Sequence, residues 1–482
     1  MAIILPANTL AAGGFSVANS CRFNDGDSPQ LHRSQPGTPT STKIFTWSGW
    51  FKLGSSTSQI TLASSFTSGS IYDQIKIMSL ATHNQVLRIE AGSNESNAID
   101  LKANLSLRDP SAWYHLVLAV DTSQGVAANR DKVYLNGTQI TSWATETHST
   151  QNDTWHMNAS GKTIKVGVYD NGTPQDFFDG YLAEVVQVDG QQLTPTSFGE
   201  FDEDSPTIWK PINVSTLTFG NNGYYMDFED SSALGNDVAG KGDFTVANLA
   251  AADQATDTPT NNFCTMNPLD NFKNAATFSE GNCKLVTASS PYYYNTGTFG
   301  LSNGKWYYEC KVASSAPSDY NLIGIAGEIG AGTAGNAVLG DTGTYGYGYH
   351  GNDGIYISDV PTGTGAGYAY GATYSTSIIG VYIDLDNNKL YFSKDGVLQN
   401  SGTGISIGTS PPHGFFYPAG GEQSTGGSAT LEFNFGGCPS FAISSGNTDG
   451  DYGNFEYSTT ITGDGASKTF KALCTKNLAE YG

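Results

Sequence analysis

Apolar and polar residues alternate with a period of two through most regular segments of this chain. Between Phe45 and Leu53, the side chains of Phe45, Trp47, Phe51 and Leu53 fall on one face of an extended strand. Further segments between residues 113 and 188 continue the pattern. No segment shows a sustained 3.6-residue period or a heptad repeat. The pattern therefore predicts an all-β chain of antiparallel strands.

Turn signals lie between the predicted strands. Asn136-Gly137 separates two apolar runs, and this dipeptide favours a two-residue hairpin turn because both central residues need a positive φ. Asp386-Asn387-Asn388 and Lys394-Asp395-Gly396 are typical of further tight turns. The 58 glycines among 482 residues exceed the usual share of about 7%. Many short strands joined by tight turns are therefore expected.

A length of 482 residues is too great for one small domain. Composition shifts near residue 230, and residues 231–271 are rich in Ala, Asn, Asp and Thr with few strand candidates, which predicts an irregular interdomain segment. We expect one sandwich over residues 20–230 and a second over residues 272–437. Residues 1–19 form a candidate arm for docking into a larger particle, and residues 438–482 a C-terminal extension.

Charge and hydropathy exclude two classes of partner. The 45 acidic and 23 basic residues give a net charge of −22 without any basic stretch, so we expect no nucleic acid partner. The apolar run from Met1 to Leu5 ends at Pro6 and lacks a basic flank, which predicts synthesis in a cytoplasm without a signal peptide. No apolar run approaches the roughly 18 residues needed to insert into a membrane.

The order of several segments carries a family resemblance. FTWSGWFKL, WYHLVLAVD, DKVYLNGTQI and GYLAEVVQVDGQQL together resemble the laminin-G-like, concanavalin-A-like jelly roll. GKWYYECKV, NLIGIAG, GYGYHGNDGIYI, IIGVYIDLDNNKLYFSKDGV, FFYPAGG and ATLEFNFG resemble the SPRY sandwich, with departures at the turn positions Ser377 and Asp395. The resemblances imply two antiparallel β-sandwiches, a concanavalin-like jelly roll followed by a SPRY-like sandwich.

Three segments between the strand-rich regions resemble other proteins. FGEFDEDSPTIWKP, NGYYMDFEDSSALGNDVAGKGDFTVANL and DTPTNNFCTMNPL are similar to segments of structural proteins of tailed phages, particularly marine ones. This resemblance implies a protein on the virion surface, such as a tail fibre or appendage that attaches to a host glycan or protein. Its other expected partners are virion proteins, and a homo-oligomer stays open. The alternatives are an architectural capsid or tail decoration and a polysaccharide depolymerase.

An acidic cluster bears on the depolymerase alternative. Glycoside hydrolysis needs two carboxyl groups that flank the bond, and hydrolases of the concanavalin-like fold carry an E-x-D-x-x-E strand. Glu200 and Asp202 begin this pattern, followed by Glu203 and Asp204, but Ser205 stands where the second Glu belongs. We therefore expect no enzyme activity.

Other carboxylates are candidates for a divalent cation such as calcium. Asp384 and Asp386 share a strand face beside two asparagines, and Asp121 follows an apolar strand. Oxygen ligands of this kind suit calcium. A strand end that satisfies its own backbone is the alternative, so we predict no cofactor and leave the metal unassigned.

Aromatic and polar residues in predicted loops are the candidate binding residues. Trp143, Trp155 and His156 lie in the polar segment 141–162, where an exposed indole could cover a sugar ring or anchor a protein contact. The alternative is that both tryptophans fold inward as a loop core.

In the second sandwich the candidates are His350, Asn352 and Asp353, at the start of a predicted loop, and Tyr368 and Tyr370 in a Gly-rich stretch. Tyrosine combines apolar area with a hydroxyl group at low entropic cost, and it recurs at recognition surfaces. The strand before this loop carries Tyr345, Tyr347 and Tyr349 on one face, and burial of that face in the sandwich is the alternative to a binding role for them.

Overall fold

The fold is taken from a computed structural model of the chain. It describes residues 14–55, 58–68, 71–79, 85–92, 99–270, 276–288, 292–315, 317–329, 338–359, 366–423 and 426–482. Most of the predicted docking arm, residues 1–13, lies outside the described residues. Within the described residues, the longest α-helix is far too short to cross a bilayer.

The chain divides into two compact units, and the boundary follows residue 260. We call residues 13–260 the first sandwich and residues 261–482 the second sandwich. The predicted interdomain segment 231–271 is not a separate linker, because its first thirty residues belong to the first sandwich and the rest to the second. The all-β fold class is confirmed.

The first sandwich holds strands β1 to β20. In chain order they are Ser20–Phe23, Gln30–Ser34, Ile44–Leu53, Ile60–Ser68, Ile71–Ser79, Gln85–Gly92, Ile99–Ala103, Trp113–Asp121, Asp131–Leu135, Thr138–Gln139, Trp143–Thr147, Thr163–Val166, Tyr169–Asp170, Pro174–Gln175, Gly180–Asp189, Gly199–Phe201, Trp209–Pro211, Tyr224–Met226, Thr245–Ala247 and Gln254–Ala255. Short 3-10 helices are Asp25–Asp27, Ala127–Asn129, His156–Asn158, Pro195–Ser197 and Ala251–Asp253.

Two eight-stranded antiparallel sheets form this sandwich. One has the order β10-β9-β8-β3-β15-β1-β20 with β18 also on β15, and the other has the order β11-β7-β6-β5-β4-β12-β2-β19. The predicted face of β3 is confirmed, because Phe45, Trp47, Phe51 and Leu53 all lie in the core between the sheets. The predicted hairpin turn between β9 and β10 is confirmed by positive φ values of 47° at Asn136 and 77° at Gly137.

The last two strands of the first sandwich explain why residues 231–260 belong to it. β19 pairs with β2 and β20 pairs with β1, so each is the edge strand of a different sheet. Their strand partners lie more than 200 residues earlier in the chain, and both strands are too short for a local alternation pattern to reveal them. The segment is therefore part of the folded core.

The second sandwich holds strands β21 to β37. They are Thr277–Ser279, Lys284–Val286, Tyr293–Thr296, Lys305–Ser314, Asn321–Ala326, Gly346–His350, Ile355–Ser358, Ala366–Ala369, Ile378–Asp384, Lys389–Lys394, Val397–Leu398, Ile405–Ser406, Tyr417–Glu422, Thr430–Asn434, Thr460–Gly463, Ala466–Thr469 and Lys471–Ala472. The 3-10 helices Pro317–Asp319 and Asn400–Gly402 and the helix α1, Thr475–Tyr481, complete the described elements.

Two large sheets again face each other. The first has the order β21-β22-β34-β24-β29-β30-β31 with β32 on β30 and β37 on β24, and the second has the order β23-β33-β25-β26-β27-β28. The predicted turns after β29 and β30 are confirmed by positive φ values at Asn388, Asp395 and Gly396.

The C-terminal residues 438–482 are an integral part of this sandwich. Strand β37 pairs in parallel with β24. The buried Glu309 carboxylate on β24 accepts the backbone N–H groups of Glu456 at 3.0 Å and Tyr457 at 2.8 Å. It also accepts the hydroxyl of Tyr307 at 3.0 Å and the amide of Asn434 at 3.0 Å. The hydrogen bonds from Glu456 and Tyr457 fix the extension to the central strand of the sheet, and those from Tyr307 and Asn434 hold the carboxyl group in place.

A β-bulge in β15 buries an acidic residue of the first sandwich. The register shifts between Ala183 and Val186, and Glu184 has a φ of 48°. Its carboxyl group is buried and accepts the Tyr225 hydroxyl at 2.8 Å. Burial, with Asp227 and Glu229 nearby, raises the pKa of Glu184 to about 8. The carboxyl group therefore stays protonated in the folded protein at pH values where the unfolded chain ionises it.

This shift predicts that stability falls as pH rises. A carboxyl group with a raised folded pKa contributes stability that is fully present below the unfolded value of 4.5 and is lost as pH rises to about 8. Glu184→Gln mimics the neutral acid, so we expect a small change in unfolding free energy at pH 5 and a gain about 4 kcal/mol larger at pH 9, because a rise from 4.5 to about 8 corresponds to about 1.4 kcal/mol per pKa unit. Urea titrations at both pH values measure this. An equal effect at the two pH values would contradict it.

Candidate functional site

Trp155 and His156 do not lie on an exposed loop. Trp155 is 1% exposed and packs edge-on against Phe45 with the ring centroids 5.6 Å apart. Its indole N–H donates to the Ser149 hydroxyl at 3.1 Å. The prediction of an exposed anchor is therefore wrong for Trp155, because the polar segment folds across the sandwich and inserts this ring into the core.

His156 and Trp143 flank that core without projecting freely. The half-buried His156 ring lies 3.4 Å from the Asp73 carboxylate, and this hydrogen bond raises the pKa of His156. Trp143 begins β11 and packs half-buried against the core. Strand β11, which Trp143 begins, is an edge of its sheet, whereas Trp155 lies in the core.

His350 is also buried, at 3% exposed. Its Nδ1 lies 2.9 Å from the Asp353 carboxylate, and its ring stacks on Tyr320 at 5.4 Å. Asn352 is half-buried and Asp353 is exposed in the turn that follows β26. The prediction that His350 lies exposed for recognition is wrong, because its ring is packed within this turn.

Tyr368 and Tyr370 are brought together at a cavity. They line a pocket of about 460 Å³ in the second sandwich, together with Tyr356. Tyr356 was missed in the sequence because it lies in an ordinary alternating strand, although β27 and β28 place it directly opposite Tyr368. We call this cavity the tyrosine pocket.

The acidic cluster lies on a two-stranded ribbon formed by β16 and β17. Lys210 pairs with Asp202 at 3.1 Å and with Glu200 at 3.4 Å. The hydrogen bond from Lys210 lowers the pKa of Asp202, whose carboxylate also accepts the N–H groups of Asp204 and Ser205. Glu200 and Asp202 therefore share one cation.

The candidate calcium ligands have protein partners. Asp384 pairs with Lys468 at 2.8 Å, and Asp386 pairs with Lys305. Asp121 caps its own turn by accepting the backbone N–H and the hydroxyl of Ser123. Among the described residues, no three His, Cys, Asp or Glu side chains are grouped as metal ligands.

Charged side chains line the outer face of the other sheet of the first sandwich. Glu90 on β6 pairs with Lys76 on β5 and with Arg88 at 2.8 Å, and Arg88 also forms two 2.8 Å hydrogen bonds to Asp100 on β7. Since side chains alternate between faces, the residues between these charges form the core. The polar members of the alternating strand pattern are the sequence signal for this surface.

A cavity of about 580 Å³ lies beside this row of charges. We call it the basic pocket, and its polar lining comes from Lys102 on β7 and from Asn104, Ser106 and Arg108 in the loop that follows. Leu105 and Ala144 supply part of its apolar wall. The pocket thus combines two cations with amide and hydroxyl groups.

The cations of the basic pocket are not neutralised by the described acidic residues. Neither Lys102 nor Arg108 has an ion pair within the described part of the chain. The nearby Asp100 is held by Arg88, and Glu146 lies 3.2 Å from His148. Asp109, the neighbour of Arg108 in sequence, accepts the backbone N–H and the hydroxyl of Ser111 and does not line the pocket. The described lining of the pocket is therefore positively charged, in a chain of net charge −22.

Comparisons with known proteins bear on the sandwich that holds this pocket. The family model described as the concanavalin A-like lectin/glucanases superfamily (Laminin_G_3) matches residues 25–196. The first sandwich is similar to these lectins and glucanases. The predicted laminin-G-like, concanavalin-like jelly roll is confirmed over this range. No curated protein matches the chain.

Two solved structures are similar to parts of the chain, with low sequence identity and low TM-scores. The SPRY domain of human HERC1 has 11% identity and a TM-score of 0.29, and the match covers 37% of this chain and 99% of that one. A SAP-like pentraxin from Limulus polyphemus has 16% identity and a TM-score of 0.29, with 38% and 80% covered.

Proposed function

We propose that this chain is a non-catalytic carbohydrate-binding protein whose first sandwich binds acidic polysaccharide in the basic pocket. The observation that carries the proposal is that the basic pocket, formed by residues 86–144, lies wholly within the range matched by the lectin and glucanase superfamily. A volume of about 580 Å³ falls within the usual range for ligand pockets, about 300–1,000 Å³.

The chemistry of the lining selects a uronate over a neutral sugar. A guanidinium and an ammonium group form charge-assisted hydrogen bonds to carboxylate oxygens, and these are about twice as strong as neutral ones. Asn104 and Ser106 add an amide and a hydroxyl group to the lining. The Asn104 amide nitrogen donates to Ser142 at 3.3 Å and the Ser106 hydroxyl donates to the Gln85 carbonyl at 3.5 Å, so their oxygens are the groups proposed to accept sugar hydroxyls. Leu105 and Ala144 offer apolar contact to ring C–H groups.

The absence of catalysis is part of the proposal. The described lining of the basic pocket contains no carboxyl group, whereas glycoside hydrolysis uses two. Glu200 and Asp202, the closest sequence match to a hydrolase strand, both pair with Lys210. Binding without release of new reducing ends is the expected behaviour.

Calorimetric titration of the full chain with an alginate hexasaccharide, a polyuronate, tests the site. Lys102→Gln and Arg108→Gln should each weaken binding about tenfold or more, because a hydrogen bond to a charged group contributes roughly 1.5–3 kcal/mol. Lys132→Gln is the matched control, since this half-buried lysine lies on β9 in the other sheet. Wild-type affinity in both pocket variants, or reducing ends released from alginate, would refute the proposal.

We further propose that the protein is displayed on the surface of a tailed-phage particle, synthesised in the host cytoplasm and attached to neighbouring virion proteins. The support is the resemblance of the segments beginning at residues 198, 222 and 257 to phage structural proteins. Soluble alginate should then reduce adsorption of the particle to its host. Antibodies against this chain should bind to intact particles. Antibodies that bind only disrupted particles would contradict surface display.

A further inference from the structure

The tyrosine pocket lies at an open side of the second sandwich. Strands β27 and β28 form one edge of their sheet, and β32 lies at the edge of the facing sheet. Tyr349 on β26, Tyr356 on β27 and Tyr368 on β28 are directly paired across the strands. Tyr349 is buried in the sandwich core, whereas Tyr356 and Tyr368, which follow it in the same cross-strand row, are half-buried.

The half-exposed rings of Tyr356 and Tyr368 form an aromatic platform. Tyr356 and Tyr368 stack with centroids 5.0 Å apart and planes inclined by 22°. Tyr370 stands nearly perpendicular to Tyr356, at 88° and 6.1 Å. Tyr370 is fixed because its hydroxyl accepts the backbone N–H of Phe392 at 3.2 Å. The arrangement is a half-exposed pair of rings braced by a buried third ring.

Polar groups face the same cavity. Within the described part of the chain, the hydroxyls of Tyr356 and Tyr368 have no hydrogen-bond partner. Asn400 and Ser406 line the opposite wall and are exposed. Phenol, amide and hydroxyl groups around an aromatic surface are the groups that recognise the hydroxyls and C–H faces of a sugar ring.

The opposite wall is held rigidly. Asn400 and Ser401 both have a φ of 50° and Gly402 has a φ of 77°, so the backbone makes a tight left-handed turn. Asp464 in the turn between β35 and β36 accepts the Gly404 N–H at 3.1 Å and the Tyr391 hydroxyl at 2.8 Å. A preformed wall lowers the entropic cost of binding.

The lining of the tyrosine pocket carries no charge among its described residues. Lys389 is close, but its ammonium group donates to the Ser406 hydroxyl at 3.1 Å and to the Gly404 carbonyl at 3.4 Å. An acidic saccharide would have no cation to compensate the loss of water from its carboxylate. A neutral ligand fits this lining better.

We propose that the tyrosine pocket is a second saccharide site, which binds a pyranose unit of a neutral polysaccharide against the Tyr356–Tyr368 platform. The site is independent of the basic pocket, because it lies in the other unit and has a different lining. Its ligand is distinguished from the uronate proposed for the first sandwich by the absence of charge.

The test uses the full chain with four neutral hexasaccharides: cellohexaose, maltohexaose, mannohexaose and chitohexaose. Saturation-transfer NMR should detect binding of at least one, and calorimetry should give its affinity. Tyr368→Ala should weaken that affinity about tenfold or more, since exposed aromatic anchors commonly carry that much binding energy. Tyr452→Ala is the control, because this tyrosine is 51% exposed in the same unit and does not line the pocket.

A second variant separates a loss of binding from a loss of folding. Ser406→Trp fills the pocket from an exposed position without removing a core side chain, and it should abolish binding while the unfolding midpoint stays near that of the wild type. Lys102→Gln should leave neutral binding unchanged. Binding of none of the four sugars, equal binding in Tyr368→Ala and Ser406→Trp, or loss of binding in Lys102→Gln would overturn the proposal. Alginate binding is measured separately, so failure of the basic pocket proposal is distinguished from failure of this one.

Discussion

Trp155→Ala is expected to destabilise the first sandwich by about 3–5 kcal/mol, the usual cost of removing a buried large aromatic side chain. The substitution leaves a cavity beside Phe45 and removes the hydrogen bond from the indole to Ser149. Urea unfolding of the full chain, monitored by circular dichroism, measures the loss in the transition of this unit.

Trp155→Phe and Trp143→Ala serve as comparisons. Phenylalanine keeps most of the buried ring, and Trp143 is only half-buried at the sheet edge, so both variants should lose less stability than Trp155→Ala. Unchanged unfolding of Trp155→Ala together with weaker binding of any ligand would show that this ring is a surface anchor and that its burial is misassigned.

Asp257→Ala is expected to cost a similar amount, about 3–5 kcal/mol, because it leaves a buried lysine without its counterion. Lys52 and Asp257 are each 1% exposed, and the Lys52 ammonium group donates to the carboxylate at 2.7 Å. The same carboxylate accepts the Trp113 indole N–H at 3.0 Å. The substitution therefore breaks a link between two central strands and residues near the end of the unit.

Glu229→Ala is the matched control for this experiment. Glu229 is an exposed acidic residue in the same unit, and surface substitutions usually change stability by less than about 0.5 kcal/mol. If Asp257→Ala unfolds at the same urea concentration as Glu229→Ala, residues 231–260 do not contribute to the first sandwich.

The sequence predicted the parts of the fold that depend on local patterns. The face of Phe45, Trp47 and Phe51 follows from alternation within one strand, and the Asn136-Gly137 turn follows from the φ preferences of two residues. Strands such as Thr245–Ala247 depend on a partner more than 200 residues away. A three-residue strand carries too little alternation to be found without its partner.

The same distinction applies to the candidate sites. Trp155 lies in a polar segment, so its neighbours in sequence predict exposure, while its contacts in space come from Phe45, more than 100 residues earlier. Tyr368 and Tyr370 stood out in a Gly-rich stretch and do line a cavity. Lys102 and Arg108 were missed, because a local positive site depends on which acidic groups are already paired, and the acidic average of the whole chain conceals it.

Hydrogen exchange tests whether the first sandwich binds an acidic glycan in the basic pocket. Backbone amide exchange of the full chain is compared with and without saturating alginate hexasaccharide. We expect added protection confined to peptides that cover strand Ile99–Ala103 and the loop to Arg108, with none in Lys102→Gln. No protection at any site, or protection only around Tyr356 and Tyr368, would contradict it.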